Sequence, residues 1–325
     1  MKMKAVSCTK YGAPDVLQLV ELPVPTPQSG EVLVRIHTTT VTAADLMMRT
    51  GLPVVGRLYL GLRRPSKPVF GFDFAGEVVA LGPDVTAFKV GQRVFGGTTN
   101  LGCYAEYACI KADDVILEIP DGITYEQAAP VAGSAITVWN FLKGQANLQA
   151  GQKVLIYGAS GGLGTYAVQI AKALGAEVTA VCSTNNVKWV KALGADHVVD
   201  YTQQSFVQQG TFYDIIFDTV GKCTFGECKS VLTKKGVYLA AVLTFPLLLR
   251  MLFGGILGSK KVKVSATGML KANIRLGYLK EITKLMQAGK MHSVIDRQMP
   301  LAAVSEAHSY VAQGRKKGNL VVLVP

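Results

Sequence analysis

The first third of the chain alternates short apolar runs with turn residues. The segment Glu31–His37 places apolar residues at every second position, as a half-buried strand does. Pro23, Pro25 and Pro27 precede it, and glycines and prolines recur as far as Gly91. Frequent turn residues between short β-rich runs predict a small barrel or a sandwich-like domain.

A different rhythm begins after Gly151. Apolar runs then open about every twenty residues, at Val154, Val178, Val198, Ile215, Val237 and Val262. Between the first two runs, the segment from Gly164 to Gly175 carries apolar residues at the spacing of an amphipathic helix. Strands that alternate with helices predict an α/β fold with a doubly wound parallel sheet, the architecture that binds dinucleotides.

The tail after Ala266 departs from this rhythm. It predicts one helix from Ala272 to Ala288, then, after the short segment Val294–Asp296, a short helix over 301–312 and a final apolar strand, Leu320–Val324. Because the tail has a strand of its own, we expect it to complete the N-terminal domain. The predicted domains are therefore residues 1–123, residues 124–265 and a C-terminal return over residues 266–325.

An apolar strand leads directly into a glycine-rich turn and then into a helix. After Val154–Tyr157 the chain continues as Gly158-Ala-Ser-Gly161-Gly-Leu-Gly164, with Ala159 in place of the first glycine of the common dinucleotide-binding pattern. Small residues are needed because the turn is tight, the backbone must approach a pyrophosphate and the helix must pack on the strand. The helix N-terminus offers N–H groups to the anion. We predict that the cofactor is bound by Ser160, Gly161, Gly162, Leu163 and Gly164, with a purely structural turn as the alternative.

The end of the second strand of this sheet bears on the choice of nicotinamide cofactor. Chains that bind NAD usually place an acid there to hold the ribose 2′-hydroxyl. Here the strand Glu177–Val181 is followed by Cys-Ser-Thr-Asn-Asn without an acid. Ser183 and Thr184 can donate hydrogen bonds to a 2′-phosphate, and Lys188 adds positive charge. NADP is therefore favoured over NAD, although Ser183 and Thr184 could instead only cap the helix that follows.

Composition adds constraints on the core and on partners. The 325 residues are 49% apolar and 17% charged, with a net charge of +12. Such a chain can build a large core, which excludes a disordered or collagen-like protein. The basic excess is compatible with a polyanionic or membrane partner, or with an ordinary basic enzyme. Because no RNA-recognition motif and no aromatic–basic stripe accompany it, we do not expect nucleic-acid binding.

The cysteines and histidines limit the metal chemistry. Six cysteines and four histidines are present. None of them forms a C-x-x-C or an H-E-x-x-H, so the compact zinc spacings are absent. Scattered thiols and an N-terminus without an apolar signal-peptide core predict a cytoplasmic protein rather than a secreted one with a disulfide framework.

Several further motifs accompany the glycine turn, and with them the chain resembles the medium-chain dehydrogenase/reductase superfamily over nearly its whole length. They are Glu31–Arg35, Gly71–Gly76 with the following Glu-Val, the spaced Gly82, Val85, Phe88, Gly91 and Val94, Tyr104–Tyr107, Leu193–Asp196 and Gly314 with Gly318. The branch that it resembles most is the zinc-independent quinone oxidoreductases. The resemblance implies a GroES-like β-rich catalytic domain, a Rossmann domain and a homodimer.

The chain departs from the zinc alcohol dehydrogenases of that superfamily at every expected ligand. Their ligand cysteine falls at Thr42, their ligand histidine at Phe72 and their third ligand near Gly133, while their proton-relay hydroxyl falls at Ala44. A catalytic zinc needs three protein ligands. The sequence therefore predicts no metal and favours hydride transfer to an activated acceptor, either a quinone or an α,β-unsaturated carbonyl, whose developing charge a hydrogen-bond donor can stabilise.

The resemblance also implies individual site residues. Thr42 and Tyr59 are the candidate donors to the acceptor oxygen, with pocket lining or ordinary packing as their alternatives, and Asp45 is expected to order its loop. Asn186 stands where these reductases often carry a basic residue for the 2′-phosphate. The predicted cofactor contacts are completed by Thr137, Tyr201, Val220 and Asn319.

One apolar segment, residues 237–258, is nearly long enough to cross a membrane. Its start is the expected fifth Rossmann strand. For residues 246–258, three interpretations stay open: an apolar lid, a dimer contact, or a peripheral membrane contact beside Lys260, Lys261 and Lys263.

The alternative to a reductase is a non-catalytic nucleotide-bound protein that binds RNA, a membrane or a partner. A short-chain dehydrogenase is less favoured because that class places its glycine turn near the N-terminus, whereas here the turn lies at residues 158–164.

Overall fold

The computed structural model describes residues 1–244, 247 and 261–325. The strands of this part are β1 (Lys2–Cys8), β2 (Leu17–Pro23), β3 (Glu31–Val41), β4 (Asp73–Leu81), β5 (Arg93–Gly97), β6 (Tyr107–Lys111), β7 (Val115–Glu118), β8 (Lys153–Tyr157), β9 (Glu177–Cys182), β10 (His197–Asp200), β11 (Tyr213–Asp218), β12 (Leu232–Ala240), β13 (Lys261–Val264), β14 (Ile295–Pro300) and β15 (Asn319–Leu323). Its α-helices are α1 (Ala43–Thr50), α2 (Arg57–Leu60), α3 (Tyr125–Pro130), α4 (Ile136–Trp139), α5 (Gly162–Ala173), α6 (Val187–Ala192), α7 (Phe225–Val231), α8 (Ala272–Gln287) and α9 (Val304–Ala312).

The chain forms two compact units. The first comprises Met1–Gly133, Leu270–Thr283 and Ser293–Pro325, and the second comprises Ser134–Met269 and Lys284–His292. The predicted apolar connection over 246–258 lies, apart from Leu247, outside the described residues.

The first unit is built on a seven-stranded sheet. Its order is β14-β15-β3-β4-β5-β7, with β6 also paired to β3. The last strand, β15, runs antiparallel to β3 and places Leu320 opposite Val41, so the tail adds its strand to the N-terminal sheet. Val34, Ile36 and Phe74 are fully buried in the core of this unit. Burial of each such side chain contributes about 1.5–3 kcal/mol relative to exposure.

The second unit contains a six-stranded sheet in the order β10-β9-β8-β11-β12-β13. All its pairings are parallel. In order of appearance along the chain this is 3-2-1-4-5-6, which confirms the doubly wound dinucleotide-binding sheet. Along α5, Ala167, Ile170 and Ala171 are fully buried, as the helical spacing predicts.

Candidate functional site

The glycine turn between β8 and α5 has the geometry that its sequence predicts. Gly158 has a φ of +80°, and a Cβ there would lie 2.7 Å from Thr219 Oγ1. At Gly164 a Cβ would lie 2.1 Å from the carbonyl oxygen of Gly158 and 2.6 Å from Cα of Ala159. The first glycine is therefore required by backbone conformation, and the second by the close approach of helix and turn.

Gly161 has a different reason to be glycine. It caps the N-terminus of α5 in ordinary extended backbone, with φ −84° and ψ 179°. Among the described residues, a Cβ there would meet only the Gly158 carbonyl oxygen, at 3.5 Å, so the space in front of this residue is open. An open approach to backbone N–H groups at a helix N-terminus fits a pyrophosphate. The turn therefore fits the phosphates of a dinucleotide.

Ser183, Thr184 and Asn186 follow β9 directly. The Asn186 side chain donates to Ser183 Oγ at 3.0 Å and accepts from Trp189 Nε1 at 3.0 Å. Its amide therefore joins the loop to α6. The hydroxyl of Ser183 accepts one of these bonds, and Thr184 Oγ1 lies 2.8 Å from Thr202 Oγ1.

An acid that the sequence reasoning missed lies beside these hydroxyls. Asp200 ends β10 and is paired in register with Cys182 at the end of β9. Its carboxylate accepts hydrogen bonds from the backbone N–H and the hydroxyl of Thr202. Hydrogen bonds from Thr184 and Thr202 lower the pKa of Asp200. The parallel register of the second and third strands was the signal that could have revealed this carboxylate.

Other predicted cofactor residues lie at the same edge of the parallel sheet. Tyr201 is 55% exposed and stacks on Tyr157, with ring centroids 6.5 Å apart. Val220 is 41% exposed in the loop after β11, where its N–H donates to Asp218 Oδ1. The carboxyl ends of β8, β9 and β11 share this edge because the strands are parallel and in register. The structure thus brings together the glycine turn, the Ser183 loop, Tyr201 and Val220.

The contacts of Lys188 and Thr137 with a cofactor stay predictions. Lys188 is exposed on α6, and Thr137 is half-buried on α4.

In the first unit, Thr42 caps the N-terminus of α1. Its hydroxyl donates to Asp45 Oδ2 at 2.6 Å, and its backbone N–H donates to the same oxygen at 2.8 Å. Asp45 is wholly buried, and Oδ1 has no hydrogen-bond partner within the described part of the chain. Burial, partly offset by the bonds from Thr42, raises the pKa of Asp45 to about 6. These two bonds join Asp45 to the first residue of the cap, and the raised pKa brings ionisation of its carboxyl group close to neutral pH.

A second buried acid lies nearby in the same unit. Asp73 Oδ2 accepts from Thr40 Oγ1 at 2.8 Å, and Oδ1 has no partner among the described residues. Burial, with a smaller contribution from the charge of Asp45, raises the pKa of Asp73 to about 8. A Cβ on Gly133 would lie 2.7 Å from both carboxylate oxygens. The carboxyl group therefore packs directly on the Gly133 backbone.

Tyr104 and His308 extend the buried polar groups around Asp45. The Tyr104 hydroxyl lies 3.3 Å from His308 Nε2, and both residues are fully buried. Burial lowers the pKa of His308 to about 3, so its imidazole is neutral. A hydrogen bond from Tyr104 also lowers the pKa of Asp45, although less than burial raises it. The two partners are 204 residues apart in sequence, so no local pattern could have found the pair.

Known proteins resemble this chain along its whole length. Residues 28–121 match the alcohol dehydrogenase GroES-like domain family, and residues 193–322 match the zinc-binding dehydrogenase family. The mitochondrial NAD(P)H oxidoreductase RTN4IP1 of Mus musculus is 31% identical, covering 99% of this chain and 89% of its own length. The chain belongs to the medium-chain dehydrogenase/reductase superfamily.

Other members of the superfamily point to one branch. The 2-methylene-furan-3-one reductase of Solanum lycopersicum is 30% identical over 99% of this chain and 79% of its own length. The solved quinone oxidoreductase of Coxiella burnetii superposes with a TM-score of 0.87, at 28% identity and with 100% of both chains covered. These relatives confirm the resemblance to the quinone oxidoreductase branch, together with the GroES-like and Rossmann folds.

Thr42, Phe72 and Gly133, which the resemblance sets at the superfamily's zinc-ligand positions, offer neither the thiolate nor the imidazole that zinc prefers. Among residues 1–244, 247 and 261–325, no group of three or more His, Cys, Asp or Glu could hold a metal ion. These side chains do not fit a catalytic zinc.

Residues 1–244, 247 and 261–325 contain no helix that is both long and apolar enough to cross a membrane.

Tyr59 and Asn319 have contrasting surroundings in the first unit. Tyr59 is 77% exposed on α2, within a loop of exposed apolar side chains that also includes Leu58 and Leu62. Asn319 is buried at the start of β15, and its side chain donates to the Val294 carbonyl. The contact of Tyr59 with an acceptor and that of Asn319 with a cofactor stay predictions.

Proposed function

We propose that this protein is a zinc-independent, NADPH-dependent reductase of quinones or α,β-unsaturated carbonyls. The observation that carries the proposal is the glycine turn with open space before Gly161, at the same sheet edge as an acid-free end of β9. The activities for which the relatives are named, those of an NAD(P)H oxidoreductase, a furanone reductase and a quinone oxidoreductase, support the same chemistry. An apolar acceptor suits the exposed apolar side chains around Tyr59.

The residues at the sheet edge have distinct roles in this proposal. The N-terminus of α5 would hold the pyrophosphate, the hydroxyls of Ser183 and Thr184 would donate to the 2′-phosphate, and Tyr201 would pack near the adenosine. When bound, the cofactor supplies the hydride. The charge of Asp200, beside Thr184, opposes a 2′-phosphate, so the margin of NADPH over NADH is the quantity to measure.

The first unit would supply the hydrogen bond to the acceptor oxygen. While Asp45 is ionised, it can only accept, and the Thr42 hydroxyl is committed to it. Once Asp45 is protonated, its own hydrogen can bond Thr42 Oγ1, which releases the Thr42 hydrogen toward the acceptor. Thr42 would then stabilise the developing oxyanion, with Asp45 as the group that sets its orientation.

This role predicts a pH dependence. Burial raises the pKa of Asp45 to about 6, so the protonated fraction of its carboxyl group falls as the pH rises through this value. Between pH 5 and pH 7 we expect kcat to fall about tenfold, in proportion to that fraction. Asp45→Asn should remove this step from the profile measured by stopped-flow oxidation of NADPH. Thr42→Ser should keep it, whereas an unchanged step in Asp45→Asn would contradict the role of Asp45.

The proposed reaction is tested with a panel of acceptors. Oxidation of NADPH and of NADH is followed with an ortho-quinone, a 2-alkenal and a long-chain enone, and a simple alcohol is tried with the oxidised cofactors. We expect turnover of at least one conjugated acceptor, preference for NADPH and no loss on addition of a chelator. Turnover only after adding zinc would contradict the proposal, and no turnover together with salt-dependent binding to RNA or anionic vesicles would favour the non-catalytic alternative.

The assembly and location of the protein are part of the proposal. We infer a cytoplasmic homodimer, which sedimentation and cell fractionation test directly.

A further inference from the structure

Two cysteines in the second unit are in unusually close contact. Cys223 Sγ and Cys228 Sγ lie 2.6 Å apart. Cys228 is fully buried and Cys223 is 7% exposed. The separation is well inside the contact distance of non-bonded sulfur atoms and about 0.6 Å longer than a disulfide bond. Neither thiol belongs to the site described above.

The backbone on both sides of the pair is held by hydrogen bonds. The Cys223 N–H donates to Asp218 Oδ2 at 3.0 Å, and the Tyr238 hydroxyl donates to the Cys223 carbonyl at 2.7 Å. Thr224 and Glu227 form a reciprocal capping box that starts α7 between the two cysteines. The sulfur atoms are thus brought together by contacts of the surrounding residues, and little backbone movement is needed to join them.

We propose that Cys223 and Cys228 are a thiol–disulfide site that hydrogen peroxide oxidises reversibly. In the first step the Cys223 sulfur attacks one peroxide oxygen, the O–O bond breaks, and sulfenic acid and water form. In the second step the Cys228 sulfur attacks the Cys223 sulfur, its proton leaves with the hydroxyl as a second water, and the S–S bond forms. The two thiols together lose two electrons, and these electrons reduce one peroxide to two waters.

The surroundings assign different roles to the two sulfurs. The hydrogen bond with Cys223 and burial both raise the pKa of Cys228, so Cys228 is less ready than Cys223 to attack the peroxide and is left to resolve the intermediate. Cys223 retains slight exposure and meets the oxidant first. Such limited access favours a small oxidant over a bulky disulfide reagent.

Oxidation would fix the loop that carries Val220. Asp218 accepts hydrogen bonds from the N–H groups of Val220, Gly221 and Cys223. A disulfide from Cys223 to α7 closes a short loop next to these contacts. We expect the oxidised protein to melt about 3 °C higher than the reduced protein. The disulfide does not depend on the proposed reductase function.

The sequence offers a direct mass-spectrometric test. Trypsin cleaves after Lys222 and Lys229, so one seven-residue peptide carries both cysteines. The full-length folded chain is treated with hydrogen peroxide, alkylated and digested, with and without later dithiothreitol. We expect this peptide to become lighter by two hydrogen atoms and unalkylated, and to recover both alkylation sites after reduction. Buried Cys182, alone in the peptide 173–188, is the matched control and should stay a thiol.

A variant separates the two steps. In Cys228→Ser the resolving thiol is missing, so dimedone should trap sulfenic acid on Cys223. If the wild-type peptide shows only sulfinic or sulfonic acid, or if the disulfide forms only in urea, the proposal is overturned. Because the wild-type measurement needs no variant, it decides the matter even if Cys228→Ser does not fold.

Discussion

Replacing Gly161 by alanine is expected to weaken NADPH binding at least tenfold while the melting temperature stays within about 1 °C of wild type. In the part of the chain that the structure describes, the added methyl group meets one atom, at 3.5 Å, so the fold has room for it. The same methyl group would occupy the open space where the backbone must approach the pyrophosphate. A tenfold loss corresponds to about 1.4 kcal/mol of binding free energy.

Gly164→Ala is expected to act in the opposite way, through stability. Its Cβ would lie 2.1 Å from a carbonyl oxygen of the turn, and neither backbone can give way cheaply. We expect a loss of about 3 kcal/mol in the free energy of unfolding, the upper end of what overpacking usually costs.

The two glycine variants are compared by thermal melting and by titration of NADPH fluorescence. Gly268→Ala is the matched control, because it lies in the same unit and no atom of the described residues lies within 4 Å of its added Cβ. It should change neither measurement. If Gly161→Ala binds NADPH as tightly as wild type, the pyrophosphate does not lie at the turn.

The glycine turn is a feature that the sequence alone predicts. The turn, the strand before it and the helix after it are consecutive, so residue order alone predicts their geometry. The same holds for the six parallel strands, whose apolar runs recur at regular intervals. Local order was sufficient because each βα unit packs largely on its neighbours.

The groups that the sequence reasoning missed are brought together over long separations. Tyr104 meets His308 only because α9 returns to the first unit, and Asp73 meets Gly133 through the packing of α3 on the sheet of that unit. Asp200 required knowledge of strand register rather than of strand order. In each case the side chain is ordinary in its own segment, and its chemistry depends on burial or pairing against a distant partner.

Thr42 shows the same limit at the candidate site. The resemblance predicts that it lies near the acceptor, whereas its hydrogen bond to Asp45 Oδ2 is a property of the fold. A threonine followed three residues later by an acid predicts a helix cap. That the acid would be wholly buried, with one oxygen unpartnered within the described part of the chain, required the structure.

Asp73 should make the protein less stable as the pH rises from about 4 to about 8. Its pKa is near 3.8 when unfolded and, because of burial, about 8 when folded. Within this window the native state therefore binds more protons than the unfolded state, and the free energy of unfolding falls by up to about 1.4 kcal/mol per pH unit. Below this pH range the carboxyl is protonated in both states. Above it the carboxyl is ionised in both states, and the free energy of unfolding falls no further.

Asp73→Asn should abolish this slope because an amide does not titrate. Relative to wild type, its free energy of unfolding should rise by about 3.6 kcal/mol between pH 5 and pH 8, as measured by urea denaturation at both values. Asp113 is exposed, so Asp113→Asn is the control, and it should change the free energy of unfolding equally little at either pH. Equal effects of Asp73→Asn at both values would mean that the native carboxyl is ionised throughout.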